Sequence, residues 1–380
     1  MLHPSKLPTT ALRGGYFLRK CRWGGFSLVE LLVSITILTF IMLLVMSMTD
    51  QTGKIWKRST SEIQAFQNAR AAYATMTQRL SQATLNTYLD YYDSTKTART
   101  PATASSFVPA YYARNSNLHF IVDQAAGTNM VPGASNLHPG HAVFFQAPLG
   151  FTLDATDYSG LPNMLNACGY YVEFNTNKPY MPPFLSGVTS VQERYRYRLM
   201  EFLQPTEANS IYNPANYPGT AKSLYDKWFT DFLPPNVTVA QAPLRVMADN
   251  IIALAILPEL SPHDQVTQTN LVTSSYTYDS RAGDIITNKL THHQLPPLLR
   301  VVMVAIDEPS AEHLNPVGST TPPSLISGLT FFQTTTSPDP NTDINNDLAT
   351  LTAALSAKKV NYRVFDNDIA IRGAKWSTVQ

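Results

Sequence analysis

Residues 26–48 read FSLVELLVSITILTFIMLLVMSM, 23 positions with a single charge, Glu30. From Leu31 to Met48 there is none. As a helix rising about 1.5 Å per residue, that stretch spans about 27 Å, close to the ~30 Å hydrocarbon thickness of a bilayer. It exceeds the ~7–15 apolar residues of a secretory signal. Lys6, Arg13, Arg19, Lys20 and Arg22 precede it without an acid, while Lys54, Lys57 and Arg58 follow it together with Asp50 and Glu62. That bias favours a cytoplasmic N-terminus. A plain membrane anchor leaves Glu30 unexplained, because an acid in the membrane costs roughly 2.5–3.5 kcal/mol even on the lenient insertion scale. Such an acid calls for a countercharge that one helix does not supply.

The rest of the composition narrows the class. Over 380 residues, 28 Lys and Arg balance 27 Asp and Glu, a net charge of +1 that excludes a polybasic nucleic-acid binder. Residues 1–25 carry +5 and the remainder −4, a basic head before an acidic body, as in a targeting segment. Only Cys21 and Cys168 are present, so without the head no internal disulfide can form.

Beyond the apolar run the helical period continues. No proline lies between Pro8 and Pro101, and Phe66, Ala69, Tyr73, Met76, Leu80 and Ala83 recur at alternating steps of three and four. This is one apolar stripe on a helix. It predicts a face on which a soluble domain packs, with Phe66, Tyr73, Met76 and Leu80 as its large members. Arg70, Gln78, Arg79 and Gln82 fall on other faces. Gly53 allows a bend, and the helix is expected to end between Asn86 and Tyr92.

The junction Gly24-Gly25-Phe26-Ser27-Leu28-Val29-Glu30 resembles the prepilin signal of type IV pilins and type II secretion pseudopilins. The resemblance implies a membrane peptidase cutting between Gly25 and Phe26, methylation of the new N-terminus, and Glu30 as fifth residue of the mature chain. It also implies that the ammonium of Phe26 on one subunit meets Glu30 on its neighbour. Such a pair sets register more than it adds stability. The segment Ala74–Ala83 and the ending Tyr362-Arg-Val-Phe … Ile371-Arg-Gly-Ala-Lys-Trp376 are similar to minor pseudopilins of the J type and to the Verru_Chthon cassette protein C family. The implied partners are the prepilin peptidase, other pilin-like subunits, inner-membrane assembly machinery and lipid, with no nucleic acid.

Twenty-five of the 27 prolines lie between Pro101 and Pro340, so long helices are not expected in the body. Strands are expected at 118–122, 142–147, 170–174, 195–202, 251–257, 298–306 and 362–371. Leu298–Ile306 (LLRVVMVAI) suits a central strand buried on both faces, and Tyr195-Arg-Tyr-Arg a half-exposed one. Short helices are expected at 221–232 and 348–359, and surface loops at 206–220, 258–270 and 309–342. The expected fold is α+β. Residues 1–25 form a cytoplasmic leader. Residues 26–92 form a long helix (span 26–48, amphipathic continuation 49–92). Residues 93–380 form a β-rich periplasmic domain.

No Gly-x-Ser-x-Gly elbow, phosphate loop, Gly-x-Gly-x-x-Gly or His-Glu-x-x-His occurs. His138, His141, His292, His293 and His313 read as solvated loop histidines, since no cysteine or carboxylate cluster completes a metal set. Asp339, Asn341, Asp343, Asn345 and Asp347 place oxygens at every second position, as calcium loops do. Ile344 stands where the turn glycine belongs and Thr350 where the bidentate acid belongs. The alternative is a solvated loop in which Asp347 caps a helix from Leu348. No other cofactor is expected. The functional expectation is a non-enzymatic filament subunit, single-pass in the inner membrane with its body in the periplasm and bulky enough for a minor position. The alternative is a membrane-anchored hydrolase or glycan binder, with Tyr170, Tyr171, Tyr195, Tyr197, Trp228 and Trp376 available to line a groove.

Overall fold

The computed structural model describes residues 27–99, 103–126, 130–158, 160–185, 188, 191–213, 225–262, 264, 276–283, 285, 290–327, 331–333, 337 and 339–376. Its contacts divide the chain into two units, with the boundary between Lys57 and Arg58. One helix, α1 (Leu28–Leu80), runs through that boundary. It passes Gly53 without interruption.

In the first unit the described residues of α1 are all exposed. Its apolar side chains from Leu28 to Met48 are all exposed, and none of the most apolar 18-residue window is buried. The hydroxyls of Ser34, Thr36, Thr39, Thr49 and Thr52 donate to carbonyls of Glu30, Val33, Ile35, Val45 and Met48, at 2.7–2.8 Å. Such back-bonding satisfies polar groups within the helix itself, as a hydrocarbon environment requires.

The second unit is α+β. After α1 come β1 (Tyr88–Tyr92), β2 (Tyr111–Asn115), β3 (Ile121–Gln124), β4 (His141–Pro148), β5 (Leu165–Thr176) and β6 (Tyr195–Gln204). There follow α2 (Lys227–Thr230), β7 (Leu244–Asp249), β8 (Ile251–Glu259), β9 (Tyr278–Asp279), β10 (Leu298–Ile306), α3 (Glu308–Leu314), α4 (Ser324–Ser327), α5 (Pro340–Ala357) and β11 (Tyr362–Ala370). All pairings between these strands are antiparallel. Three sheets result: β1-β2, β11-β10-β8, and β7-β6-β5-β4-β3-β9. β10 is central, as its nearly continuous apolar run predicts, and pairs with β11 from Leu298↔Ala370 to Ile306↔Tyr362.

The main core joins the six-stranded sheet, the three-stranded sheet and the C-terminal half of α1. Ala69, Tyr73, Met76, Leu80 and Ala83 are buried there, and Phe66 packs at its edge. The Tyr73 hydroxyl donates to the Val301 carbonyl at 2.8 Å, its ring stacks on Phe365, and Arg363 lies over Phe66. A second cluster covers the opposite face of the six-stranded sheet. The stretch Ala142–Phe145 of β4 therefore reads apolar on both faces: Val143 and Phe145 face one core, Ala142 and Phe144 the other.

Four expectations are corrected. The helix ends at Leu80, and Tyr88–Tyr92 is a strand instead. Its run of tyrosines suits a strand better than a helix. Arg196 and Arg198 are buried rather than half-exposed, because Arg196 bonds Asn315 O and Glu308 while Arg198 bonds Asp249 and Asn175. The stretch 309–342 is not wholly loop, since α3 and α4 lie in it. In the region expected as helix 221–232, the described residues form only Lys227–Thr230, with 221–224 outside the described residues.

Candidate functional site

Gly25 and Phe26 lie outside the described residues. The first described residue, Ser27, precedes α1, and its hydroxyl accepts from the Glu30 backbone N–H at 3.1 Å. Ser27 is thus an N-cap and Glu30 the N3 acid of an S-x-x-E sequence. A carboxylate in the first turn also faces the positive end of the helix dipole, an effect of about 0.3–1 kcal/mol. Glu30 itself is exposed, the only acid among the exposed apolar residues from Leu28 to Met48.

The other half of α1 is fixed by more than its apolar stripe. Arg79 forms an ion pair with Glu201 on β6, which is almost wholly buried. Glu201 also accepts from the Tyr170 hydroxyl at 2.8 Å and lies 3.2 Å from Arg245. A buried carboxylate held by two guanidinium groups and a phenol specifies one seating of the helix on the sheet. The sequence marks Arg79 only as a charge off the apolar face. Its partner is 122 residues away and no local pattern points to it.

Among the described residues, His119, Asp226 and Asp279 are close enough to hold a metal ion, with ligand atoms within 4.8 Å of one another. All three are buried. Trp228 Nε1–H donates to His119 Nδ1 at 3.1 Å, and indole nitrogen can only donate. His119 Nε2 therefore carries the proton and donates to Asp279 Oδ1 at 2.8 Å. Asp279 also accepts from the Tyr225 hydroxyl at 3.0 Å and from the Arg281 backbone N–H at 2.8 Å. Burial pushes the Asp279 carboxyl up, but attraction to His119 and these donors outweigh it and hold the group below its usual range. Both His119 nitrogens are committed, and Asp226 Oδ1 stands 3.7 Å from Nδ1. Asp279 is matched to its donors, whereas the carboxylate oxygens of buried Asp226 accept no hydrogen bond among the described residues. The cluster ties α2 to the approach to β3 and to β9.

The histidines expected in solvent are mostly buried. His141 lies within β4, with Ile256 N–H donating to Nδ1 at 2.9 Å and Nε2 donating to Phe332 O at 2.8 Å. His138, His292 and His293 are also buried, and His313 on α3 is exposed. Burial, the largest cause in each, lowers the affinity of His138, His141 and His293 for protons. For His293, nearby His292 and Arg281 add to the effect. Burial acts oppositely on Glu173, raising its carboxyl to about 7 against a hydrogen bond from Asn175 and attraction to Arg198.

A pH dependence follows. A histidine held neutral in the fold contributes stability that is present above its unfolded value near 6.5 and declines as pH falls below it. Glu173, raised in the fold, works the other way between about 7 and its ordinary value of 4.5. Three histidines outnumber one glutamate, so the direction expected between pH 7.5 and 5.5 is a net loss on acidification. Thermal unfolding of the full chain in detergent should show a lower Tm at pH 5.5. An unchanged or higher Tm contradicts the buried neutral histidines.

The series Asp339 to Asp347 is corrected from a loop to a helix. Asp339 is the N-cap of α5, its carboxylate accepting from Asn341 N–H at 3.0 Å, with Pro340 at the first helical position. Positions two apart on a helix point to different faces, while positions four apart share one. Asn341 and Asn345 both accept from Arg300, which pairs with Asp366 on β11. Asp343 accepts from Ser337 N–H and Oγ, and Asp347 from Phe332 N–H at 2.7 Å. The five oxygens therefore do not converge as a calcium loop's do, and Asp347 caps no helix at Leu348.

Of the residues offered for an aromatic groove, Tyr170, Tyr171, Tyr197 and Trp228 are core residues, and Tyr195 and Trp376 pack at its edge. No family model, curated protein or solved structure matches the chain.

Proposed function

We propose that the chain is a non-enzymatic prepilin-like structural subunit. It is processed after Gly25 and joins, as a minor subunit, a type IV pilus or type II secretion pseudopilus-like filament. Before assembly it is held in the inner membrane by α1, with residues 1–25 cytoplasmic and the body periplasmic. Its partners are the prepilin peptidase, the assembly machinery and other pilin-like subunits.

One observation carries the reading. From Leu28 to Met48 α1 is an exposed apolar surface whose only acid is Glu30, while Ala69, Tyr73, Met76 and Leu80 lie in the body's core. A patch of this size calls for lipid or like helices around it. The acid calls for a cation that a cut before Phe26 would create. Tyr170, Tyr171, Tyr197 and Trp228, offered for a glycan groove, pack in the core, which favours the filament reading over a binder built on them.

Gly25→Ala tests the processing step. The variant should accumulate at precursor size in cells where the parent chain is converted to a shorter form. Equal conversion of the two contradicts the proposed cut.

A further inference from the structure

The helix stays suited to a membrane well past its last consecutive apolar residue. After Met48 several polar side chains are answered within the helix. Thr49 and Thr52 donate to Val45 and Met48 carbonyls, and Lys54 pairs with Asp50 at 2.7 Å across one turn. Then come Ile55 and Trp56, 69% and 75% exposed, followed by exposed Lys57. With nothing covering them in their own unit, these two large apolar groups stand on a helix otherwise polar from Thr49 to Lys57.

Length supplies the occupant. From Leu28 to Trp56 the axial rise is about 42 Å at ~1.5 Å per residue. A whole bilayer, headgroup layers included, is about 40–45 Å thick, of which ~30 Å is hydrocarbon. Leu31–Met48 fills the hydrocarbon, which places Thr49–Trp56 in the headgroup layer at its far end. Helical side chains lean toward the N-terminus, so the Trp56 ring reaches back toward the lipid. Tryptophan favours this zone because its ring is apolar and its N–H needs a polar partner. The Asp50–Lys54 pair neutralises itself, and Lys57 is left as a positive group facing lipid phosphates.

We propose that Ile55, Trp56 and Lys57 form an anchor in the phospholipid headgroup layer on the body's side of the membrane, fixing the depth at which the unassembled subunit sits. The anchor rests on the membrane-spanning reading of α1. The full chain is reconstituted into phosphatidylcholine vesicles and floated. Tryptophan emission is then compared with that of Trp56→Phe, using lipids brominated near the headgroup or deep in the chains. Subtraction isolates Trp56 without disturbing buried Trp228. The expected component is blue-shifted and quenched at least about twofold more by shallow than by deep bromines. A chain that floats but shows a Trp56 component open to aqueous acrylamide and indifferent to bromine overturns the anchor and leaves the span standing. A shielded component that no bromine quenches points to contact with another copy and also overturns it. A chain that does not float overturns both.

Discussion

Replacing Trp228 with alanine is expected to cost the body about 3–5 kcal/mol, the range for emptying a large aromatic site in a core. The side chain is fully buried, packs edge-on to Phe144 and Phe229, and donates its N–H to His119. Against a total stability of about 5–15 kcal/mol, that loss leaves a marginal fold. Trp228→Phe separates packing from hydrogen bonding. It keeps most of the ring but removes the donor to His119 Nδ1, a change of about 1–3 kcal/mol. Denaturant midpoints of both variants, measured by near-UV circular dichroism, should rank parent, phenylalanine, alanine. An alanine variant within about 1 kcal/mol of the parent would mean that the second core does not hold Trp228 as described.

The second large effect concerns Glu30. In the isolated helix its removal loses only a first-turn acid, about 0.3–1 kcal/mol, so Glu30→Ala should still insert and still be processed. In the assembly it should remove the partner of a buried ammonium, a loss of about 3–5 kcal/mol at that contact, enough to exclude the subunit from the filament. Glu30→Gln distinguishes charge from capping, because glutamine serves at N3 of a capping box as well as glutamate does. The account expects glutamine to fail in assembly as alanine does, read by co-purification of two differently tagged copies and by the sheared filament fraction. Assembly of the glutamine variant at the parent level would assign Glu30 to capping the helix rather than joining subunits.

Elements whose signal is local were legible in the sequence. The three-four spacing from Phe66 to Ala83 marks the face of α1 that lies in the core, because a helix repeats its faces every 3.6 residues. The run LLRVVMVAI marks β10, since a central strand covered on both faces needs no polar alternation. Where the signal was local but ambiguous, the wrong alternative was drawn from it. Asp339-Pro340 is a cap followed by the proline that favours a first helical position, yet the alternating Asp and Asn residues beyond it imitate a ligand loop. Tyr195-Arg-Tyr-Arg imitates a half-exposed strand because arginine is rarely buried unless paired, and Asp249 and Glu308 are distant in sequence.

What no reading of the chain could supply is the meeting of remote residues. His119, Asp226 and Asp279 are brought together only by the closure of the six-stranded sheet and the seating of α2. Glu201 finds Arg79 only once the helix lies on β6. Both groups tie packing elements together. Ser27 and Glu30 are three residues apart, so the capping contact between them is a local pattern that the chain itself displays.

The most direct test is N-terminal sequencing of the chain extracted from membranes of cells that carry a prepilin peptidase. The account predicts a single sequence beginning Phe26-Ser27-Leu28-Val29-Glu30, with the first residue methylated. A chain that begins at any other residue, or that keeps its leader intact, contradicts the claim that proteolysis creates the charge Glu30 is there to meet.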